Sequence, residues 1–167
     1  MLETVILGAV LFGMYLLNGS AVIPLMTGAA VAAVFAAAAL VYAFKRNSAR
    51  AKDLGLKAVL LAAVAGLIFG VNALNNGMAA RGAARIGAAC EAYKTKTGSY
   101  PEKLSQLAPE YLKAVPAAKA TVMWRYYRLK GGRVLYALDP WLMMAGYYDL
   151  GSKKPGFTRI DEMMAEK

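Results

Sequence analysis

The chain of 167 residues has no histidine and one cysteine, Cys90. Without histidine there is no imidazole for a Ser-His-Asp triad and no histidine ligand for haem or metal. A lone thiol builds neither a thiolate metal cluster nor an internal disulfide. Charge is missing over a longer stretch: between residues 4 and 44 there is no Asp, Glu, Lys or Arg. No ionisable group lies inside any of the chain's apolar runs, which argues against a pump or transporter, because proton relays and ion pathways need such groups. The serines lack bases: Ser99, Ser105 and Ser152 sit in turn or capping contexts. Gly131-Gly132 is followed by neither a P-loop lysine nor a helix. These absences lead to the expectation of a non-enzymatic protein with no catalytic, cofactor-binding or metal-binding residue.

What the chain does have is apolar length. Residues are 59% hydrophobic, with the excess in the first half. One bilayer crossing takes about 20 apolar residues. The uncharged block therefore holds two, residues 4–22 and 24–44, separated by the breakers Asn18-Gly19-Ser20 and Pro24. A third apolar run covers residues 58–74. Glu3, with no Lys or Arg beside it, does not make a cleavable signal peptide, so the first helix is expected to be retained. The loop of residues 45–57 carries five basic side chains and one acidic, which predicts a cytoplasmic loop and a C-terminal half outside the cytoplasm. From residue 78 onward, 15 Lys or Arg against 8 Asp or Glu leave +7. A compact domain translocates largely regardless of such charge. The lipid bilayer is the first expected partner.

Small residues recur four apart in two spans: Ala29, Ala33 and Ala37, then Ala62, Gly66 and Gly70. Such stripes let helix backbones approach closely in lipid. They predict packing among the spans, or docking of a partner's helix, with the alanine face of the second span in excess of internal needs. Beyond the third span, Ala79, Ala83, Ile86, Cys90, Tyr93 and Thr97 keep helical spacing, with Gly98 as C-cap. One helix over residues 57–96 follows, membrane-embedded below and amphipathic above, with Gly77 and Gly82 as points where it can bend. Cys90 is expected as a small buried hydrophobe on that stripe. Short helical turns are predicted at 102–107 and around Tyr111 and Leu112, then strands at 121–130, 133–139, 145–150 and 157–160, the first two joined by Gly131-Gly132. The fold expected is an α+β membrane protein: three transmembrane helices, the third continuing into a long helix packed on a small antiparallel β-meander. The division expected is a helical hairpin with basic loop, 1–56, and a second region, 57–167.

One constellation stands above background: Trp124-Arg125-Tyr126-Tyr127-Arg128, with Trp141, Tyr147 and Tyr148. As a strand it would put Trp124, Tyr126 and Arg128 on one face, Arg125 and Tyr127 on the other. Interleaved aromatics and arginines serve as a sheet core, a protein interface, or a stacking surface for nucleic acid or glycan. Anionic lipid headgroups are further neighbours for a basic domain.

The order Ala84-Arg85-Ile86, Glu91-Ala92-Tyr93, Thr97-Gly98-Ser99-Tyr100-Pro101, Leu104, Leu107, Pro109-Glu110-Tyr111-Leu112 and Val115-Pro116 resembles the globular part of type IV pilins and type II secretion pseudopilins. The resemblance covers roughly the last 110 residues. It implies a long helix on a strand meander, with a pilus or secretion machine as partner. Two departures separate the chain from a filament subunit. Leu60, the fifth residue after Gly55, stands where the family has the Glu that neutralises a neighbour's N-terminus, and two extra spans would tether the chain. Asp139 and Asp149 lie where calcium-binding pseudopilins place carboxylates, without a ligand cluster around them. The expectation is a multi-pass protein of a bacterial inner membrane with a periplasmic domain, an accessory subunit of a larger membrane complex, either the pilus or secretion machine that the resemblance implies or a bioenergetic assembly. Its rival is a binding module for DNA or an anionic glycan.

Overall fold

The structure, a computed structural model, describes residues 1–165. The chain folds as two compact units, Met1–Asn72 and Ala73–Lys167, and the division falls inside one long helix.

In the first unit, helix α1 covers Leu2–Asn18 and α2 covers Val22–Phe44. Gly19 ends α1 in the left-handed conformation (φ 73°), its N–H returning to the Tyr15 carbonyl at 2.8 Å. Helix α3, Ser48–Thr97, is 50 residues long, about 75 Å at 1.5 Å per residue. It begins nine residues earlier than the spacing predicts, so most of the expected basic loop is helical. Asn47 Oδ1 accepts the Arg50 N–H at 3.2 Å as an N-cap, and an Asp53–Lys57 ion pair of 2.8 Å braces the next turn. Leu11, Tyr15, Ala21, Leu61 and Ile68 form the buried core of this unit, with Leu7, Phe12, Leu25 and Val64 packed against it. Two helices, α2 and α3, are long and apolar enough to cross a membrane, with mean hydropathies of 2.1 and 2.3 over their most apolar windows. Only 11% of each window is buried, unlike the core helix of a soluble protein. The count is two rather than the three expected, because Gly19 stops α1 at 17 residues, short of the predicted end at residue 22.

In the second unit four strands form an antiparallel meander in the order β1 (Arg128–Lys130), β2 (Arg133–Asp139), β3 (Met144–Asp149) and β4 (Pro155–Arg159), followed by a short helix α4 (Ile160–Met164). Gly131 and Gly132, both at positive φ (56° and 72°), make the two-residue hairpin turn, pairing Lys130 with Arg133. Both faces of β2 are covered. Val134 and Tyr136 face the α3 stripe of Ala79, Ala83, Ile86 and Cys90; Leu135 and Ala137 face Ile160 and Met163 of α4. The predicted stripe is thus the helix side of the core, except that Tyr93 is half-buried and Thr97 exposed. Helix and sheet approach closely because α3 offers glycine where tyrosines of β3 and of the segment before β1 pack on it: a Cβ at Gly82 would collide with the Tyr127 hydroxyl, and one at Gly87 would lie 2.5 Å from the Tyr148 ring. Gly98 caps α3 at φ 84°.

Three expectations change. Residues 121–127 are not a strand. Trp124 sits at φ 59°, and the Thr121 hydroxyl donates to the Met123 carbonyl at 2.7 Å, which turns the chain out of the extended region. Around Tyr111 and Leu112 there is a turn instead of a helix, with both N–H groups on the Leu107 carbonyl. Helix α4, too short for a periodic signal, was not expected.

Candidate functional site

Residues 118–125 form a closed loop, tied at its base by the Ala118 N–H on the Arg125 carbonyl (2.8 Å). Three polar groups fasten it. Asn75 Oδ1, on α3, accepts the Ala120 N–H at 3.2 Å. The Lys119 side chain is buried and its Nζ donates to the Leu138 carbonyl. Asp139, next along β2, attracts that ammonium and holds the β2–β3 turn by accepting the N–H groups of Trp141 (3.0 Å) and Leu142 (3.2 Å). Burial pushes the Lys119 ammonium down to about 8, against the pull of Asp139. Asn75, Lys119, Thr121 and Asp139 are the buried polar residues of the second unit among those described, and all serve these two loops.

What the loops present is apolar. Val122 and Met123 are 62% and 57% exposed, and Trp141 and Leu142 on the β2–β3 turn 60% and 54%. Met143, also exposed, holds φ 54° and gives its carbonyl to the Ile160 N–H at 2.8 Å.

The predicted aromatic–arginine face is not assembled. Tyr127 is in the helix-side core, its hydroxyl donating to the Ala79 carbonyl at 2.9 Å, and burial raises it to about 12. Trp124 packs on the opposite core with Leu135 and Met163. Arg128 lies over the Tyr126 ring at 5.9 Å and donates to the Met163 carbonyl at 3.4 Å, while Arg125 is exposed at the loop base. The segment breaks up because strand alternation starts only at Arg128. Trp141 belongs to the other loop.

The small-residue stripes also lie elsewhere than in the internal seam. Ala29, Ala33, Ala37, Ala62, Gly66 and Gly70 are exposed, and a Cβ at Gly66 or Gly70 would touch nothing. The close approach in this unit is instead at Gly8, whose added Cβ would lie 3.0 Å from Val64. Ala33 and Ala62 do share one feature, a shallow apolar groove of about 330 Å³ with Ala36 and Val59.

An open cleft of about 650 Å³ lies between residues 102–105 and the start of β1. Two of its three basic groups are engaged already: Lys130 donates to the Glu162 and Ala165 carbonyls, Arg128 to that of Met163, while Lys103 lines the other side. Cys90 is fully buried, and burial beside Glu91 pushes the thiol up to about 11, which keeps it protonated and unreactive at neutral pH. Among the described residues, no group of three or more Cys, Asp or Glu is placed to hold a metal ion. Asp149 turns inward on Ser152 and Arg133.

Sequence reasoning missed Lys119, and it missed the loop tips. A signal was present: Trp141-Leu142-Met143-Met144 is an apolar run where a hairpin turn must fall, so it cannot all be buried. No protein-family model, curated protein or solved structure matches the chain.

Proposed function

We propose that this protein is a multi-pass membrane protein, a non-catalytic accessory subunit that braces or helps assemble a larger membrane complex through its helices. Its α+β domain is held outside the cytoplasm. The observation that carries the reading is the surface of α2 and α3: windows of mean hydropathy above 2 that are almost nine-tenths uncovered need a solvent other than water. The α1 helix, although 17 residues long, joins them as a third crossing. Lys45, Arg46, Arg50 and Lys52, exposed around the α2–α3 turn, support a cytoplasmic position for that end. The exposed alanine stripe of α2 and the groove at Ala33 and Ala62 are the surface offered to a partner's helix.

Likeness to pilins enters as an architectural analogy only, a long helix against an antiparallel meander, and folds are reused for unrelated tasks. A bacterial inner membrane and a pilus or secretion machine come with that analogy. The test is extraction in a mild detergent followed by mass measurement of the intact particle. A stoichiometric partner supports the accessory role; a lone monomer from native membranes overturns it.

A further inference from the structure

The contacts along α3 order the second unit from end to end. Asn75 meets the 118–125 loop, Ala79 the Tyr127 hydroxyl, Gly87 the Tyr148 ring, and Glu91 the Tyr100 hydroxyl and Lys153. From Asn75 to Glu91 is about 24 Å along the helix. The far end, around Glu91, is charged: Lys94, Lys96 and Lys153 are exposed there, and Lys96 pairs with Glu110. The near end is the opposite. Val122, Met123, Trp141, Leu142 and Met143 project there from two loops that Lys119 and Asn75 hold together. This is also the end at which α3 enters the unit, one residue after its apolar run stops at Leu74.

We propose that these paired loop tips are a second membrane anchor, with Val122, Met123, Trp141, Leu142 and Met143 seated in the headgroup and upper acyl region of the bilayer. The inference rests on the membrane reading above. Lipid is the occupant because of position and chemistry together. The tips lie at the level where an apolar helix becomes polar, which is where a bilayer surface falls. Trp is the side chain enriched at that interface, its ring apolar and its N–H wet. Exposed Arg125 at the loop base and Arg81 on α3, less than two turns beyond Asn75, supply the positive charge that anionic headgroups attract. Burying a cation to clamp two loops is costly. The clamp makes physical sense here because it fixes a pair of apolar tips side by side, so that they enter one surface together.

The test uses the full chain in vesicles of phosphatidylcholine and phosphatidylglycerol, with phosphatidylcholine brominated near the headgroup as quencher for Trp141 and phosphatidylcholine brominated deep in the acyl chain as quencher for the control. Trp141 is read in W124F. If that variant unfolds, wild type minus W141F yields the same signal. A control tryptophan at Leu67→Trp, on an exposed face of α3's apolar run, reports on the membrane reading itself. Expected are a blue-shifted Trp141 emission, about twofold quenching by the brominated lipid and weak quenching by aqueous acrylamide. Quenching of Leu67→Trp with none of Trp141 overturns the anchor and leaves the membrane reading standing. Absence of quenching at both overturns both. A Trp141 shielded from lipid and acrylamide alike belongs to a protein contact, and it too overturns the anchor.

Discussion

Glycine and alanine do opposite work in the two units of this chain. In the second, Gly82 and Gly87 are places where a tyrosine ring rests on a helix backbone, and Ala79 and Ala83 are fully covered. In the first, Gly66, Gly70 and the alanines at 29, 33 and 37 face outward with nothing upon them, beside large exposed side chains such as Val34, Leu67 and Phe69. The second unit buries apolar surface on both faces of β2 and leaves large apolar groups at its loop tips. The first buries a small core around Leu11, Tyr15, Leu61 and Ile68 and leaves most of the apolar windows of α2 and α3 uncovered. Spacing alone cannot separate the two uses, since steps of four appear in both. What separates them is whether a partner surface exists within the chain.

Substitutions sharpen the contrast. The largest effect is expected from Gly87→Val, which drives a branched side chain into the Tyr148 ring; it should destabilise the sheet domain by about 3 kcal/mol or more, read as loss of sheet structure on heating in detergent. Next comes pH. Lys119 has its pKa lowered from 10.5 to about 8 on folding. Between those values the unfolded chain holds a proton that the folded one has released, so stability rises with pH across that window. The gain of wild type relative to Lys119→Met should approach about 3 kcal/mol by pH 10.5. Comparing the two proteins cancels the opposite drift from Cys90, whose raised pKa costs stability as pH climbs from 9.0 to about 11. A parallel course for the two proteins would remove the buried ammonium from the account. Tyr127→Phe, which deletes the bond to the Ala79 carbonyl but keeps the ring over Gly82, should cost about 1 kcal/mol in the same assay. Smallest for the fold is Gly66→Val, expected to change stability by under about 0.5 kcal/mol because its Cβ meets nothing. If α3 packs against a partner at that stripe, the same change should lower the yield of the co-extracted complex.

Much of the architecture was legible in the sequence. Apolar runs, the Gly19 and Gly98 stops, the Ala79 to Cys90 stripe and the Gly131-Gly132 hairpin are local signals, and each has a local cause that the structure repeats. The extent of α3 was not, because basic residues look like a loop until Asn47 is seen capping them. Residues 121–127 misled for a related reason: their β-branched and aromatic composition favours a strand, but a side-chain bond at Thr121 and a left-handed Trp124 bend the backbone. Lys119 was illegible in principle. Nothing beside it in the sequence places the Leu138 carbonyl or Asp139 within reach of its ammonium. The exposed Trp141 loop was readable only in hindsight, from an apolar turn with nowhere inside to go.

The central claim is that α2 and the lower part of α3 lie in lipid while the sheet domain lies in water. In a Cys90→Ser background, single cysteines at Val34, Leu67, Arg46 and Lys154, treated in native membranes with a membrane-impermeant maleimide, test it directly. Val34 and Leu67 are exposed on the protein itself, so protection at these positions comes from lipid or from a helix docked within it. The account predicts no labelling at either, labelling at Lys154 from outside the cytoplasm, and labelling at Arg46 only from the cytoplasmic side. Ready labelling at Val34 and Leu67 in intact membranes would contradict it.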